Sequence, residues 1–478
     1  MDLTGIEVAV IGLGASGFAA ARLAAEKGGD VYVSEARTDD AAAARGADLG
    51  DAGIDVELGG HDIERVANAG LVVASPGIPP DAPVLRALAE RGVRWISEPE
   101  LAARFLPGSL IAVTGTNGKT TTTLLVDHLL RASGIRSAAG GNVGGGLAPA
   151  ASDLARSGIP YDWVVLEMSS FQLSGVDTFR PDIGVVTNLS PDHLDRYESV
   201  GAYYADKARL FDNADDDSAW VLPWGDEAVG RLAADAAGRR FYFDGPTVHK
   251  GTATAPGIPR GHGSCHAFED DGMLLLRLDG EIEELLPTGD LPLLGAHNVT
   301  NALTAALVAR LAGAQPGGIA AGLGSARALP HRLEPVHEAG GVLWVNDSKA
   351  TNVAAACSAL QSLDRPVVLL LGGKDKGEDF TPLAAAARGR AVLVLAYGAA
   401  RDRIVGELEA AFAELGGGTG VPPVEPVEGT MIEVVARAAR ASRSGHVVLL
   451  SPACSSYDLY DNYEQRGAHF AALARATS

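Results

Sequence analysis

Residues 110–123 read L-I-A-V-T-G-T-N-G-K-T-T-T-T, a set of residue types suited to holding phosphate. A short apolar run leads into a turn made of Gly115, Thr116, Asn117 and Gly118, and a helix-like stretch then continues to Gly134. In such a turn the backbone N–H groups and the positive end of the following helix favour an anion. Lys119 adds a cation for the β- and γ-phosphates, and the hydroxyls of Thr120 and Thr121 can reach a magnesium ion. The pattern departs from G-x-x-x-x-G-K-[ST] at one place, where Val113 occupies the position of the first glycine. An ordinary strand-to-helix turn would leave Lys119 and the four consecutive threonines unexplained.

Other candidate residues are weaker when taken singly. Glu167 closes an apolar run. It suits a magnesium ion beside phosphates, since hard cations take oxygen ligands; with Ser169 and Ser170 behind it, it equally suits the start of a helix. His193, in S-P-D-H-L-D-R-Y, follows a further apolar run and reads either as a loop histidine or as part of a metal site. Lys207, in Y-Y-A-D-K-A-R-L-F, has the surroundings of a surface helix, and its local pattern does not select it. Near the N-terminus, V-A-V-I-G-L-G-A-S-G sets Gly12, Gly14 and Gly17 at dinucleotide-binding spacing. Glu35 ends the next apolar run, where a ribose-binding acid would sit. On these residues alone a nicotinamide or flavin enzyme stays open.

The elements that must position these groups are short runs rich in Val, Ile and Leu. They are read as strands at Glu7–Ile11, Val31–Ser34, Leu71–Ala74, Leu110–Thr114, Trp163–Leu166, Ile183–Thr187, Val342–Val345, Val367–Leu371, Val392–Ala396 and Val447–Leu450. Near-continuous apolar strands alternating with helical segments imply α/β domains with parallel sheets. Breaks near Ser97–Pro107 and Ala326–Pro330 divide the chain into expected domains at 1–98, 99–328 and 329–478. Tyr242–Pro292, with few helical signals and several Gly and Pro breaks, reads as a β-rich decoration of the middle domain. Ligands of open parallel sheets bind where strands end. The polar clusters G-T-N-G-K-T, E-M-S-S-F-Q-L, N-L-S-P-D-H-L-D-R-Y, N-D-S-K-A-T-N, G-G-K-D-K-G-E-D-F and S-P-A-C-S-S-Y-D all fall at such ends.

Bulk properties narrow the class. With 60 acidic residues against 39 Lys and Arg, the formal net charge is -21, which disfavours nucleic acid and anionic membranes as partners. Any phosphate site must therefore rely on local lysines, backbone N–H groups or metal. No run is long enough to span a bilayer, and the N-terminal residues lack the pattern of a cleavable export signal. Cys265, Cys357 and Cys454 are scattered, forming neither a disulfide framework nor a metal pair, so a reducing cytoplasm is expected.

Together these clusters, with L-L-G-A-H-N-V-T-N-A-L-T-A, L-P-H-R-L-E and N-Y-E-Q-R-G, resemble the Mur ligase family across essentially the whole chain. Within it, L-E-M-S-S-F-Q-L and the C-terminal motifs resemble the branch that adds D-glutamate. The resemblance implies a Rossmann-like N-terminal domain, a central P-loop ATPase-like domain and a Rossmann-like C-terminal domain. It implies ATP-dependent joining of D-glutamate to UDP-N-acetylmuramoyl-L-alanine through an acyl-phosphate, by a cytoplasmic enzyme expected to act as a monomer. By resemblance, Asn298 and Asn301 lie on the adenine side, and Arg332 and Asp347 help hold ATP. Thr120 and Glu167 lie at one magnesium, while His193 and a carbamylated Lys207 serve a second. Ala15 and Ser16, after Gly14, then lie near the diphosphate of the sugar nucleotide. Glu35, Ala36 and Arg37 lie near uracil and ribose, flanked by Ser75, Pro76 and Gly77, with Asn142 near the muramoyl-alanine. Lys349, Thr351, Lys376, Ser456 and Tyr463 map to the D-glutamate pocket, where Lys374, Asp375, Tyr457 and Tyr463 depart from the branch's expected residues. Rival readings are a ligase for another amino acid, such as folylpolyglutamate synthetase, a nucleotide-dependent oxidoreductase, and an ATP-driven switch without ligase chemistry.

Overall fold

The computed structural model of the chain describes residues 2–79, 82–192, 196–246, 265–416 and 418–477. Three sheets organise them. The first runs Asp55–Leu58, Asp30–Glu35, Glu7–Ile11, Leu71–Ala74 and Ile96–Ser97 in spatial order, all parallel. The strand order reverses beside Glu7–Ile11, which places a crevice at the ends of that strand and of Leu71–Ala74.

The second sheet has nine strands. Ser109–Thr114 lies between Trp163–Glu167 and Ile183–Val186, and Ser137–Gly141 forms the edge beyond Trp163–Glu167. On the other side the sheet continues in parallel through Ala219–Pro223, Arg239–Asp244 and Ala267–Asp270. It closes with an antiparallel meander through Met273–Leu278 and Glu281–Pro287. The β-rich segment expected at Tyr242–Pro292 is thus an extension of the central sheet, apart from residues 247–264, which lie outside the described residues. The third sheet runs Glu334–Ala339, Val342–Asn346, Val447–Leu450, Val367–Gly372, Ala391–Tyr397 and Val424–Pro426; only its first pair is antiparallel.

The central strands are apolar throughout because both faces are covered. Val164, Val165, Leu166, Val368, Leu369 and Leu370 are fully buried. The chain divides into two compact units, Met1–Asp290 with Val299–Ser325, and Leu291–Asn298 with Ala326–Ser478. The expected division after residue 98 falls inside the first unit, where Leu23 and Leu101 share one apolar cluster with Leu154 and Val164. Glu98 joins the two sheets further, accepting from the Ser152 N–H at 2.5 Å while completely buried. Burial pushes its carboxyl up to about 7. Among the described residues no helix is long and apolar enough to cross a membrane.

Candidate active site

The glycine-rich turns do different things. Helix Ala15–Glu26 begins at Gly14 and packs against its strand through Gly17, where a Cβ would stand 1.9 Å from the Gly12 carbonyl oxygen. The first turn of that helix, with Ala15 and Ser16, opens at the crevice beside Ser75. Glu35 faces inward instead. It accepts from the Leu13 N–H at 2.7 Å, from the Arg37 N–H at 2.9 Å and from the Arg37 guanidinium at 3.1 and 3.0 Å. Burial alone would raise the Glu35 carboxyl, but the Arg37 guanidinium and these N–H groups hold it down at about 2. Glu35 therefore braces the glycine turn against Arg37, whatever its share in binding ribose. Glu35→Ala strands the buried Leu13 N–H and costs about 2 kcal/mol. Because the folded-state pKa is depressed from 4.5, this contribution is fully present above about pH 4.5 and is lost as pH falls towards 2. Urea unfolding of parent and variant checks this: their separation narrows below about pH 4.5, and a separation that widens there refutes the account.

In the central sheet, Ser109–Thr114 feeds the turn that starts helix Lys119–Ala132. Gly118 adopts φ 82°, and a Cβ there would lie 2.5 Å from Asn301 Oδ1, so this position favours glycine. The next strand end supports the turn. The Thr116 N–H donates to the Asn188 carbonyl at 2.9 Å and the Asn117 N–H to Asn188 Oδ1 at 3.0 Å. The Asn117 carbonyl accepts from Thr187 Oγ1 at 2.6 Å and Asn188 Nδ2 at 3.0 Å. Thr122 Oγ1 lies 3.4 Å from Asn301 Oδ1. The Lys119 ammonium folds back over the turn and donates to the carbonyls of Gly115 at 3.1 Å and Thr116 at 2.8 Å.

Strand register brings the acid to the same place. Val113 pairs with Glu167 in one neighbour, and Gly141 pairs with Glu167 in the other. Glu167 is 2% exposed; its Oε1 accepts from Asn142 Nδ2 at 3.0 Å, and its buried Oε2 has no partner among the described residues. Lys207, on helix Val200–Ala208, reaches in from the side, 1% exposed. Its Nζ donates to the Gly115 carbonyl at 2.7 Å and lies 4.7 Å from the centre of the Tyr203 ring. Burial first, and then the charge of Lys119, brings the Lys207 ammonium down to about 7. A lysine that is part neutral near neutrality is a nucleophile. The orphaned Glu167 oxygen and the hydroxyl of Thr120, which is 8% exposed, are oxygen donors of the kind a magnesium ion takes. His193 lies outside the described residues.

The second unit gathers three strand-end loops. Asp347 follows Val342–Asn346 and is nearly buried; it accepts from Ser451 Oγ at 2.8 Å and the Leu333 N–H at 3.2 Å. Burial pushes its carboxyl up to about 7 in spite of these bonds and of nearby Arg332. Asn298 donates to the Leu294 carbonyl at 2.8 Å. Lys349 Nζ stands 5.4 Å from the centre of the Tyr463 ring, and Lys376 Nζ donates to Thr351 Oγ1 at 3.3 Å. Ser456 is buried in the loop after Val447–Leu450. Asp375 pairs with Arg403, and Tyr457 points outward, 68% exposed.

Comparison with known proteins decides the family. Family models match as a Mur ligase MurD-like N-terminal domain over residues 6–97, a Mur ligase middle domain over 113–309 and a Mur ligase glutamate ligase domain over 331–454. The chain is 41% identical over all 478 residues to the UDP-N-acetylmuramoylalanine–D-glutamate ligase of Acidobacterium capsulatum, covering 97% of that protein. It is 40% identical over 472 residues to the ligase of the same name from Salinibacter ruber, covering 97% of this chain and 96% of the relative. The chain belongs to the Mur ligase family. Solved Mur ligases share its fold. The MurF ligase of Thermotoga maritima, crystallised with ADP, superposes with a TM-score of 0.59 at 14% identity, covering 100% of this chain and 96% of that one. The UDP-N-acetylmuramate–alanine ligase MurC from the same organism gives 0.55 at 18%, covering 99% of this chain and all of that one.

In this Mur ligase several supporting residues went unassigned by sequence reasoning. Thr187 and Asn188 hold the phosphate turn, Tyr203 lies beneath Lys207, and Arg466 sits under the loops of the second unit. For these two a signal existed, since Thr187 ends the run read as a strand next to the one carrying the phosphate turn and Asn188 begins the polar cluster that follows it. Arg466 is the arginine of N-Y-E-Q-R-G, a stretch that carried the resemblance but gave this residue no role.

Proposed function

We propose that this Mur ligase joins D-glutamate to UDP-N-acetylmuramoyl-L-alanine at the expense of ATP, giving ADP and phosphate, as a step in making peptidoglycan precursors. The observation that carries this reading is the identity of about 40% with D-glutamate ligases along the whole chain. The alanine carboxylate attacks the γ-phosphorus of ATP, ADP leaves, and an acyl-phosphate forms. The D-glutamate amine attacks the acyl carbon, loses a proton, and phosphate departs as the amide forms.

The residue roles in this reading are those that the family resemblance implies. Gly14, Ala15 and Ser16 cradle the diphosphate of the sugar nucleotide at a helix N-terminus. Ala36, Arg37, Ser75, Pro76 and Gly77 border the same crevice, beside Glu35. The 115–121 turn and Lys119 bind the phosphates of ATP, with Asn301 beside that turn; Asn298, Arg332 and Asp347 are ascribed to ATP by the family resemblance. Asn142 orients Glu167 and faces the acyl group. Lys349, Thr351, Lys376, Ser456 and Tyr463 receive D-glutamate, because a dicarboxylate calls for cations and hydroxyls.

Thr120 and Glu167 would hold one magnesium ion, and Lys207 with His193 a second. A magnesium ion there supplies positive charge against the crowded phosphates. In this reading Lys207 is carbamylated: its neutral amine attacks CO2, a proton leaves, and the product is an oxygen ligand with a negative charge.

Phosphate release tests the reaction. With ATP and UDP-N-acetylmuramoyl-L-alanine present, release rises strongly on adding D-glutamate and stays low with L-glutamate. Equal rates without any amino acid, or a preference for L-glutamate, refute the assignment.

A further inference from the structure

Helix Tyr463–Arg475 carries Arg466 in its first turn, 1% exposed. A cation at that position opposes the positive end of the helix dipole, so its presence demands compensation from elsewhere. Its Nε donates to Ser348 Oγ at 2.9 Å and Nη2 to the Ser348 carbonyl at 2.8 Å. Nη1 donates to the carbonyls of Gly372 at 3.4 Å, Cys454 at 3.1 Å and Ser455 at 3.3 Å. Ser348 Oγ in turn donates to the Tyr463 carbonyl at 2.8 Å. Among the described residues no carboxylate pairs with Arg466.

One planar fork thus binds the loops that follow Val342–Asn346 and Val447–Leu450 and the end of strand Val367–Gly372, and through Ser348 the start of its own helix. The trans peptide unit is planar, with its C=O and N–H on opposite sides. With the Ser348 carbonyl drawn to the guanidinium, the Lys349 N–H turns away and donates to the His331 carbonyl at 3.1 Å. With the Ser455 carbonyl drawn in, the Ser456 N–H likewise faces away from the guanidinium. Lys349, Ser456 and Tyr463 are the residues to which D-glutamate binding is ascribed above.

We propose that Arg466 is a positioning residue for the incoming amino acid: it sets Lys349, Ser456 and Tyr463 in place and lays an unpaired positive charge beneath a dicarboxylate. The inference rests on the ligation reading given above. A lysine keeps the charge but loses the fork, and a methionine loses both.

Steady-state kinetics of the full chain test it, with Arg466→Lys, Arg466→Met and Ser348→Ala. Formation of the acyl-phosphate without D-glutamate is read separately, by trapping it with hydroxylamine. Arg466→Met raises KM for D-glutamate about thirtyfold, Arg466→Lys about tenfold and Ser348→Ala a few-fold, on the scale of lost charge-assisted hydrogen bonds. KM for ATP and for the uridine substrate, and the rate of hydroxamate formation, stay within about twofold of the parent, since those steps do not use the amino-acid site. An unchanged KM for D-glutamate overturns the proposal. So does a parallel loss of hydroxamate formation and of all three affinities, which marks a merely structural residue. If Arg466→Met does not fold, Arg466→Lys and Ser348→Ala decide by the same criteria. A parent enzyme whose phosphate release ignores D-glutamate overturns the ligation reading itself, whereas a D-glutamate-dependent parent with unaltered variants overturns only the role of Arg466.

Discussion

Lys119→Ala lowers D-glutamate-dependent phosphate release about a thousandfold, the scale of losing one preorganised electrostatic contact to a charge-bearing transition state. The reason lies in what surrounds the ammonium. It donates to the carbonyls of Gly115 and Thr116, directly over a turn that Thr187 and Asn188 brace through the Asn117 carbonyl and N–H. Because the net charge of the chain is -21, nothing global draws ATP in, and the local cation carries that burden. The melting temperature of the variant stays near that of the parent, since the turn keeps its bonds to Thr187 and Asn188. A variant retaining more than about a tenth of parental turnover contradicts this role of Lys119.

In the reading proposed above Lys207 holds a magnesium ion as a carbamate, so Lys207→Ala lowers turnover up to about a hundredfold. Lys207→Arg does the same, because a guanidinium keeps its proton and cannot take up CO2. The pH dependence has a definite sign. Only the neutral amine attacks CO2, and burial together with Lys119 brings the Lys207 ammonium down to about 7. At fixed dissolved CO2 the carbamylated fraction therefore rises as pH increases through about 7. Removing the charge of Lys119 moves that midpoint to higher pH. Carbon-13 NMR of the enzyme equilibrated with labelled bicarbonate reads the modification directly, as a carbamate signal present in the parent and missing from Lys207→Ala. A fully active Lys207→Arg enzyme, or a parent without the signal, refutes it.

Much of the fold was legible because parallel strands buried on both faces must be apolar along their length. The runs at Glu7–Ile11, Leu71–Ala74 and Val447–Leu450 match the observed strands end for end, and others differ by a residue or two. The strands that sequence reasoning passed over lie mostly at sheet edges or in the meander. Asp55–Leu58 and Glu281–Pro287 leave much of their length exposed, so polar residues interrupt the pattern. The order of strands was not legible at all. It depends on which helix covers which face, a matter of packing between segments distant in sequence.

The candidate site divides in the same way. By itself the sequence determined the groups whose function is local. The 115–121 turn, Lys119 and the Gly12-Gly14-Gly17 series each act through a few consecutive residues, and their spacing alone constrains the backbone. Tertiary structure decided everything that depends on a partner far along the chain. It turned Glu35 inward onto Leu13 and Arg37, and left one oxygen of Glu167 buried and unpaired. It took Lys207, which reads as a surface residue, to the Gly115 carbonyl across a separation of 92 residues. It also set Arg466 beneath loops more than 90 residues away. Burial is the physical reason. A residue's charge state and reach depend on its dielectric surroundings and on which dipoles face it, and these exist only once the sheets have packed.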